Sequence, residues 1–113
     1  MSSGVNSIAA AANHLLAIQN GGAYAWGQDN FGQLGNGMTN LQFTPVAVSG
    51  LSSGVTAIAG GSLNSLAIQN GGVYAWGSNS YGQLGNGTTS VNPNPRPVAV
   101  AGLVARPRKT LGR

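Results

Sequence analysis

The hydrophobic positions of this chain fall in short runs that flank two Asn-Gly pairs. At Asn20-Gly21 the sequence predicts a type I′ turn, because both central residues of that turn need positive φ, which Asn and Gly tolerate. Leu16–Gln19 and Ala23–Trp26 then form a hairpin with a two-residue loop. Both faces of this hairpin are apolar, and a strand pair of that kind needs a covering layer on each side.

The pattern occurs twice along the chain. Residues 4–37 align with residues 54–87 without a gap, and 21 of the 34 positions are identical. After a two-residue insertion in the second unit, near 93–95, the alignment continues with Pro45 matching Pro97. A repeat of about 50 residues with these hydrophobic runs is typical of a propeller or of another repeat array.

Each unit supplies two more predicted strands. Val5–Ala10 and Val55–Ala59 precede the hairpins, and Pro45–Val48 and Pro97–Val100 follow them as outer strands, where a leading proline is tolerated. Four short antiparallel strands that are covered on both faces describe a propeller blade. We therefore predict an all-β chain of two β-propeller blades. The predicted boundaries are 1–50 for the first blade, 51–103 for the second and 104–113 for a basic C-terminal tail.

The fixed spacing of two blocks within the repeat carries a resemblance to a known family. Tyr-Ala-Trp-Gly and Gly-Gln-Leu-Gly recur in both units after Ile-Ala and Leu-Ala-Ile runs, and the whole pattern resembles the regulator of chromosome condensation repeat. The resemblance implies that these blocks build the blade and its turns. The residues concerned are Tyr24, Trp26, Gly27, Gly32, Gln33, Gly35, Tyr74, Trp76, Gly77, Gly82, Gln83 and Gly85.

The chain departs from the family pattern in two ways. Where the family has a His-Ser pair, the first unit has His14 followed by Leu15, and the second has Asn64 followed by Ser65. The family usually closes a ring of seven blades, so two blades are an incomplete propeller unless the chain assembles or belongs to a longer one. The nucleotide-exchange activity of the family's founding member needs a complete ring and its loops, so we rank exchange activity low here.

Charge is confined to one end of the chain. There are five Lys or Arg and one acid, Asp29, which gives a formal net charge of +4. All five basic residues lie between Arg96 and Arg113, so residues 1–95 carry a net charge of −1. Because no aromatic side chain is interleaved with the basic residues, we do not expect nucleic-acid binding.

The same composition excludes most catalytic chemistry. One carboxylate cannot form the pair used by glycosidases or aspartic proteases, and the absence of Cys excludes thiolate zinc sites. His14 and Asp29 are replaced by Asn64 and Asn79 in the other unit, so a shared acid–base or metal pair is not expected. The glycine-rich turn at 32–37 lacks the lysine and the helix of a phosphate-binding loop. We predict neither an enzyme nor a cofactor nor a metal site.

Binding through loops is the remaining class of function. The segments 28–31, 38–44, 78–81 and 88–96 differ between the units while the blade core repeats, and variable loops on a rigid scaffold commonly carry function. We therefore predict a scaffold for protein–protein interaction. An oligomeric, lectin-like propeller that binds carbohydrate is the alternative. The candidate partner contacts are Phe31, Tyr81, Asp29, Asn30 and Asn79.

Two blades with apolar faces leave one outer face open on each. Open faces of this kind mark interaction surfaces, so we expect a protein partner, self-association into a ring of six or eight blades, or a place in a longer propeller. Trp26 and Trp76 are expected to pack between blades, whereas in the lectin-like alternative they would stack on sugar rings. No apolar run is long enough to span a bilayer, and no export signal is recognisable. We therefore expect no membrane partner, with the cytoplasm as the default location.

Overall fold

Two antiparallel sheets of four strands each make up the computed structural model, which describes residues 3–104. In each sheet the strands follow one another in chain order, as a meander. This confirms the predicted all-β fold with four-stranded blades. The first sheet consists of β1 (Val5–Ala10), β2 (His14–Gln19), β3 (Gly22–Gly27) and β4 (Gln42–Ala47), and the second of β5 (Val55–Gly60), β6 (Asn64–Gln69), β7 (Gly72–Asn79) and β8 (Ser90–Val104).

The central hairpin of each blade follows from its Asn-Gly turn. Asn20 and Gly21 have φ of 51° and 80°, as a type I′ turn requires. Gln19 therefore pairs with Gly22, and Ile18 pairs with Ala23. The second hairpin repeats this register around its own Asn-Gly pair. The predicted hairpin is thus confirmed down to its pairing.

The outer strands are longer than the sequence predicts. β4 begins at Gln42 rather than at Pro45, and β8 begins at Ser90, so parts of the segments predicted as loops at 38–44, 78–81 and 88–96 belong to strands. The two-residue insertion of the second unit is absorbed by register shifts within β7 and β8, where Asn79 lies opposite Ser90. The predicted tail lies outside the described residues from 105 onward.

The hydrophobic core lies where the two sheets meet. The first blade contributes Leu16, Ile18 and Leu34, and the second contributes Ala67 and Trp76, all of them buried. One face of the first hairpin therefore packs against the opposite face of the second. Residues 3–104 contain no helix, and so none that is long and apolar enough to cross a membrane.

Candidate functional site

A buried hydrogen-bond network joins the two blades. The backbone carbonyl of Gln33 accepts one bond from Trp76 Nε1–H and one from the Ser65 hydroxyl, each at 2.8 Å. His14 Nε2 lies 2.8 Å from Ser65 Oγ. Since the Ser65 hydrogen points to the carbonyl, Oγ accepts from His14 Nε2–H. The network therefore alternates between the blades, with His14 and Gln33 from the first and Ser65 and Trp76 from the second.

Burial fixes the charge state of His14 in this network. The side chain is almost completely inaccessible, and desolvation by burial lowers its pKa below the ordinary 6.5. Within residues 3–104 its Nδ1 atom has no hydrogen-bond partner, which agrees with a neutral ring protonated on Nε2. His14 is thus a neutral structural donor at the blade junction.

Glycine at position 35 makes room for the tryptophan of the next blade. A Cβ atom built on Gly35 would lie 2.6 Å from Trp76 Nε1, and Gly35 has a φ of +70°. Both the space and the backbone conformation therefore require glycine. The indole of Trp76 is fully buried against this turn, so it is not available to stack on a sugar ring.

The structure buries Asp29 in its loop and Asn79 at the end of β7, instead of exposing them on the surface. Each has one side-chain oxygen that accepts the backbone N–H five residues later, from Leu34 and Leu84, at 2.9 Å. Both residues are buried. Their side chains close the glycine-rich turns.

The two loops differ in the charge that they bury. Asn79 Nδ2 donates to the carbonyl of Thr88 at 3.0 Å, whereas among the described residues Asp29 Oδ2 has no hydrogen-bond partner. Desolvation raises the pKa of Asp29 from 3.8 to about 6, and the bond from Leu34 N–H lowers it in part. At neutral pH the charged form of this carboxyl, the single acid of the chain, is therefore disfavoured by its burial in the loop.

Aromatic side chains stand at the tips of both turns. The backbone N–H of Phe31 donates to Gln33 Oε1 at 2.7 Å, and that of Tyr81 donates to Gln83 Oε1 at 2.8 Å. Tyr81 is 91% exposed and Phe31 is half-buried. Phe31 is partly covered because its loop touches the second blade, where Asn94 N–H donates to its carbonyl at 3.3 Å. Asn30, the remaining candidate contact, is exposed.

The repeat-motif residues lie in the strands and turns of the blades. Tyr24, Trp26 and Gly27 belong to β3, and the corresponding residues of the second unit belong to β7. Gly32, Gln33 and Gly35, with Gly82, Gln83 and Gly85, form the two glycine-rich turns. In the part of the chain that the structure describes, no three His, Cys, Asp or Glu side chains come together as metal ligands would.

Sequence reasoning did not single out Ser65 as a junction residue. The signal was present, because His14 and Ser65 are the two halves of the family's His-Ser pair, split between the units. Each unit taken alone retains only one residue of this pair and therefore shows only a departure from the family pattern. In the structure the two retained halves meet at one junction, at 2.8 Å.

Each blade also presents an open apolar face. On the second blade a groove of about 210 Å³ is lined by Ala57, Ala59, Leu66 and Ile68, among others. On the first blade, Ile8 is 72% exposed on the side that also holds Leu15 and Trp26. The groove and this face correspond to the two halves that meet at the internal junction.

Comparison with known proteins identifies the repeat. A family model for the regulator of chromosome condensation (RCC1) repeat matches residues 20–68 and 70–109, and a second model for the same repeat matches residues 55–83. Among solved structures, human WBSCR16 is similar at 28% identity with a TM-score of 0.77, over 88% of this chain and 26% of that one.

Two yeast structures share the fold at lower identity. Prp20p from Saccharomyces cerevisiae is 23% identical with a TM-score of 0.73, over 85% of this chain and 25% of that one. Yeast RCC1 (Prp20) bound to Kap60 is 21% identical with a TM-score of 0.67, over 85% and 24%. The chain spans about a quarter of the length of the proteins it resembles.

Proposed function

The chain belongs to the regulator of chromosome condensation (RCC1) repeat family, and on this premise we propose that it is a non-catalytic scaffold for protein–protein interaction. Its titratable groups support this proposal. His14 and Asp29, which a catalyst would need at a surface, are buried and hold the blade junction and a turn. The contacts are assigned to the loop tips, where side chains face solvent.

The class of partner is suggested by the similar structures. The Prp20p structure is described together with the binding of that protein to Gsp1p and histones, and the yeast RCC1 (Prp20) structure is a complex with Kap60. These are properties of proteins about three and a half times as long, at identities that establish the fold alone. We therefore propose only the class of partner, which is a folded protein, and we carry over none of these individual partners.

The exposed ring of Tyr81 is the observation that carries the proposal. It is 91% exposed, yet its turn is fixed by the bonds from Tyr81 N–H to Gln83 Oε1 and from Leu84 N–H to Asn79 Oδ1. An aromatic side chain on a rigid turn contacts a partner at a low cost in conformational entropy. Tyrosine is also enriched among residues that dominate binding energy at interfaces.

Quantitative capture experiments test this proposal. Immobilised wild-type chain, Tyr81→Ala and the control Thr56→Ala, which changes an exposed strand residue of the same blade, are exposed to one lysate of the source cells. We expect at least one protein to bind the wild type and the control and to lose about tenfold or more of its affinity for Tyr81→Ala. Purified binders then give dissociation constants. Identical sets and affinities for all three chains would contradict the assignment to this loop.

We further propose that the open blade faces are covered by other blades of the same kind. Three or four copies would close a ring of six or eight blades by rotational symmetry. Apolar faces exposed on both outer sides support this proposal. Light scattering behind a sizing column measures it, with an expected mass of three or four times the 11.3 kDa of the chain. A folded species of 11.3 kDa at every concentration would refute it.

A further inference from the structure

The internal blade junction consists of two complementary halves. We call the half on the first blade the socket, formed by the Gln33 carbonyl and Gly35. We call the half on the second blade the plug, formed by Ser65 and Trp76. The repeat places a second socket on the second blade, at Gln83 and Gly85, and a second plug on the first blade, at Leu15 and Trp26.

The second socket is exposed although it has the same construction as the first. Gly85 N–H donates to the carbonyl of Gly82 at 3.0 Å, and Ala101 N–H donates to the carbonyl of Gly85 at 2.8 Å. The corresponding bonds in the first socket measure 3.0 and 2.7 Å. Gln83 and Gly85 are nevertheless exposed, while their counterparts are buried. The second socket is therefore formed before anything occupies it.

The face around the second plug is exposed in the same way. Ile58 packs against the core of the internal junction, whereas its counterpart Ile8 is 72% exposed. Val55 is 5% exposed and its counterpart Val5 is 39% exposed. The half-buried Trp26 lies on this face, opposite Leu15. The apolar residues that seal the internal junction thus recur, uncovered, on the opposite side of the molecule.

From this correspondence we propose that the second socket binds the second plug of another copy, head to tail. Trp26 Nε1–H of one copy donates to the Gln83 carbonyl of the next, with the indole over Gly85. Such a contact is heterologous, so each copy keeps one free half and can bind a further copy until the ring closes. This inference rests on the self-association proposed above and names the contact that would produce it.

The contact between copies lacks part of the internal network. Leu15 takes the place of Ser65, so no hydroxyl reaches the second lone pair of the Gln83 carbonyl. Asn64 takes the place of His14 and faces that leucine instead of a hydroxyl. A buried polar group without a partner weakens an interface. We therefore expect copies to dissociate on dilution before the blades within a chain separate.

Complementary variants test the contact. Trp26→Ala removes the plug and leaves the socket, whereas Gly85→Ala fills the socket and leaves the plug. Each variant alone should remain monomeric in light scattering at concentrations where the wild type assembles. An equimolar mixture should give a species of two chains, because the plug of one variant fits the socket of the other. Circular dichroism establishes that both variants are folded.

A milder pair of variants keeps the test informative if a variant fails to fold. Trp26→Phe keeps an aromatic ring but removes the indole N–H, and it should weaken association by at least about fivefold per junction, the value of one hydrogen bond. Trp76→Phe removes the same group from the internal junction and should lower unfolding stability more than it lowers association. Wild-type assembly that Trp26→Phe, Trp26→Ala and Gly85→Ala leave unchanged would overturn the contact but not self-association. A wild type that is monomeric at every concentration would overturn both.

Discussion

Replacing Asp29 with Asn should stabilise the folded chain at neutral pH. The carboxyl is fully buried, with Oδ1 bonded to Leu34 N–H and no partner for Oδ2 among the described residues. Desolvation raises the pKa of Asp29 from 3.8 to about 6, so the folded chain holds the proton more tightly than the unfolded chain. The contribution of Asp29 to folding stability is therefore greatest below about pH 4, declines as pH rises towards about 6, and stays reduced above that. The full effect corresponds to about 3 kcal/mol.

Asparagine retains the hydrogen bond without the buried charge. In the second blade Asn79 accepts from Leu84 N–H at 2.9 Å and donates to the Thr88 carbonyl at 3.0 Å. Asp29→Asn can adopt the same arrangement in the first blade, where Met38 stands at the position of Thr88. The gain over wild type should be small at about pH 4 and should approach 3 kcal/mol, as an upper value, at about pH 8.

Urea unfolding followed by tryptophan fluorescence measures this difference at each pH. Burial lowers the pKa of His14. The contribution of the neutral imidazole to the free energy of unfolding is therefore lost as pH falls below about 6.5. Because this loss affects the wild type and Asp29→Asn alike, it cancels in their difference. Asn79→Asp is the matched reverse change and should destabilise the chain at about pH 8 more than at about pH 4. Equal free energies of unfolding for wild type and Asp29→Asn at both pH values would refute the reasoning.

Two further predictions concern the blade junction. Ser65→Ala should lower the free energy of unfolding by about 1–3 kcal/mol, because His14 Nε2 loses its buried partner, while Ser62→Ala on the exposed turn should leave it unchanged in the same urea titration. Gly35→Ala should destabilise the chain more than Gly85→Ala, by about 1–3 kcal/mol. Both glycines have positive φ, and at both a new methyl group would lie 2.9 Å from a valine methyl, but only at Gly35 would it also lie 2.6 Å from an indole nitrogen. Thermal unfolding of the monomers compares the two, and equal midpoints would contradict the role assigned to Trp76.

The parts of the fold that depend on local rules could be predicted from sequence. The hairpin register follows from Asn20-Gly21, because the turn geometry depends on these two residues and the pairing follows from the turn. Four strands per repeat follow from the apolar runs. The predicted outer strands are too short, because strand length there depends on pairing with β3 and β7 and not on the residues of β4 and β8 themselves.

The parts of the site that depend on contacts between repeats could not be predicted. Asp29 and Asn79 lie in polar segments, and nothing in the sequence indicates that their side chains are buried. Their burial results from the folding of the turn back onto its own N–H groups. The partnership of His14 with Ser65 depends on which face of one blade meets which face of the next. Comparison with the family pattern marks the retained His14 and Ser65, but it does not show that the two side chains meet.

The insertion in the second unit affects how the two blades unfold. Asn94 N–H donates to the Phe31 carbonyl at 3.3 Å, and the Pro95 carbonyl accepts from Gly37 N–H at 2.8 Å. The outermost strand of one repeat is thereby attached to the rim of the other, through residues that flank the turn into which Trp76 inserts. Repeat arrays usually unfold as a series of units coupled only to their neighbours' faces. With attachments at both the core and the rim, these two repeats should open together, as one cooperative unit rather than one blade at a time.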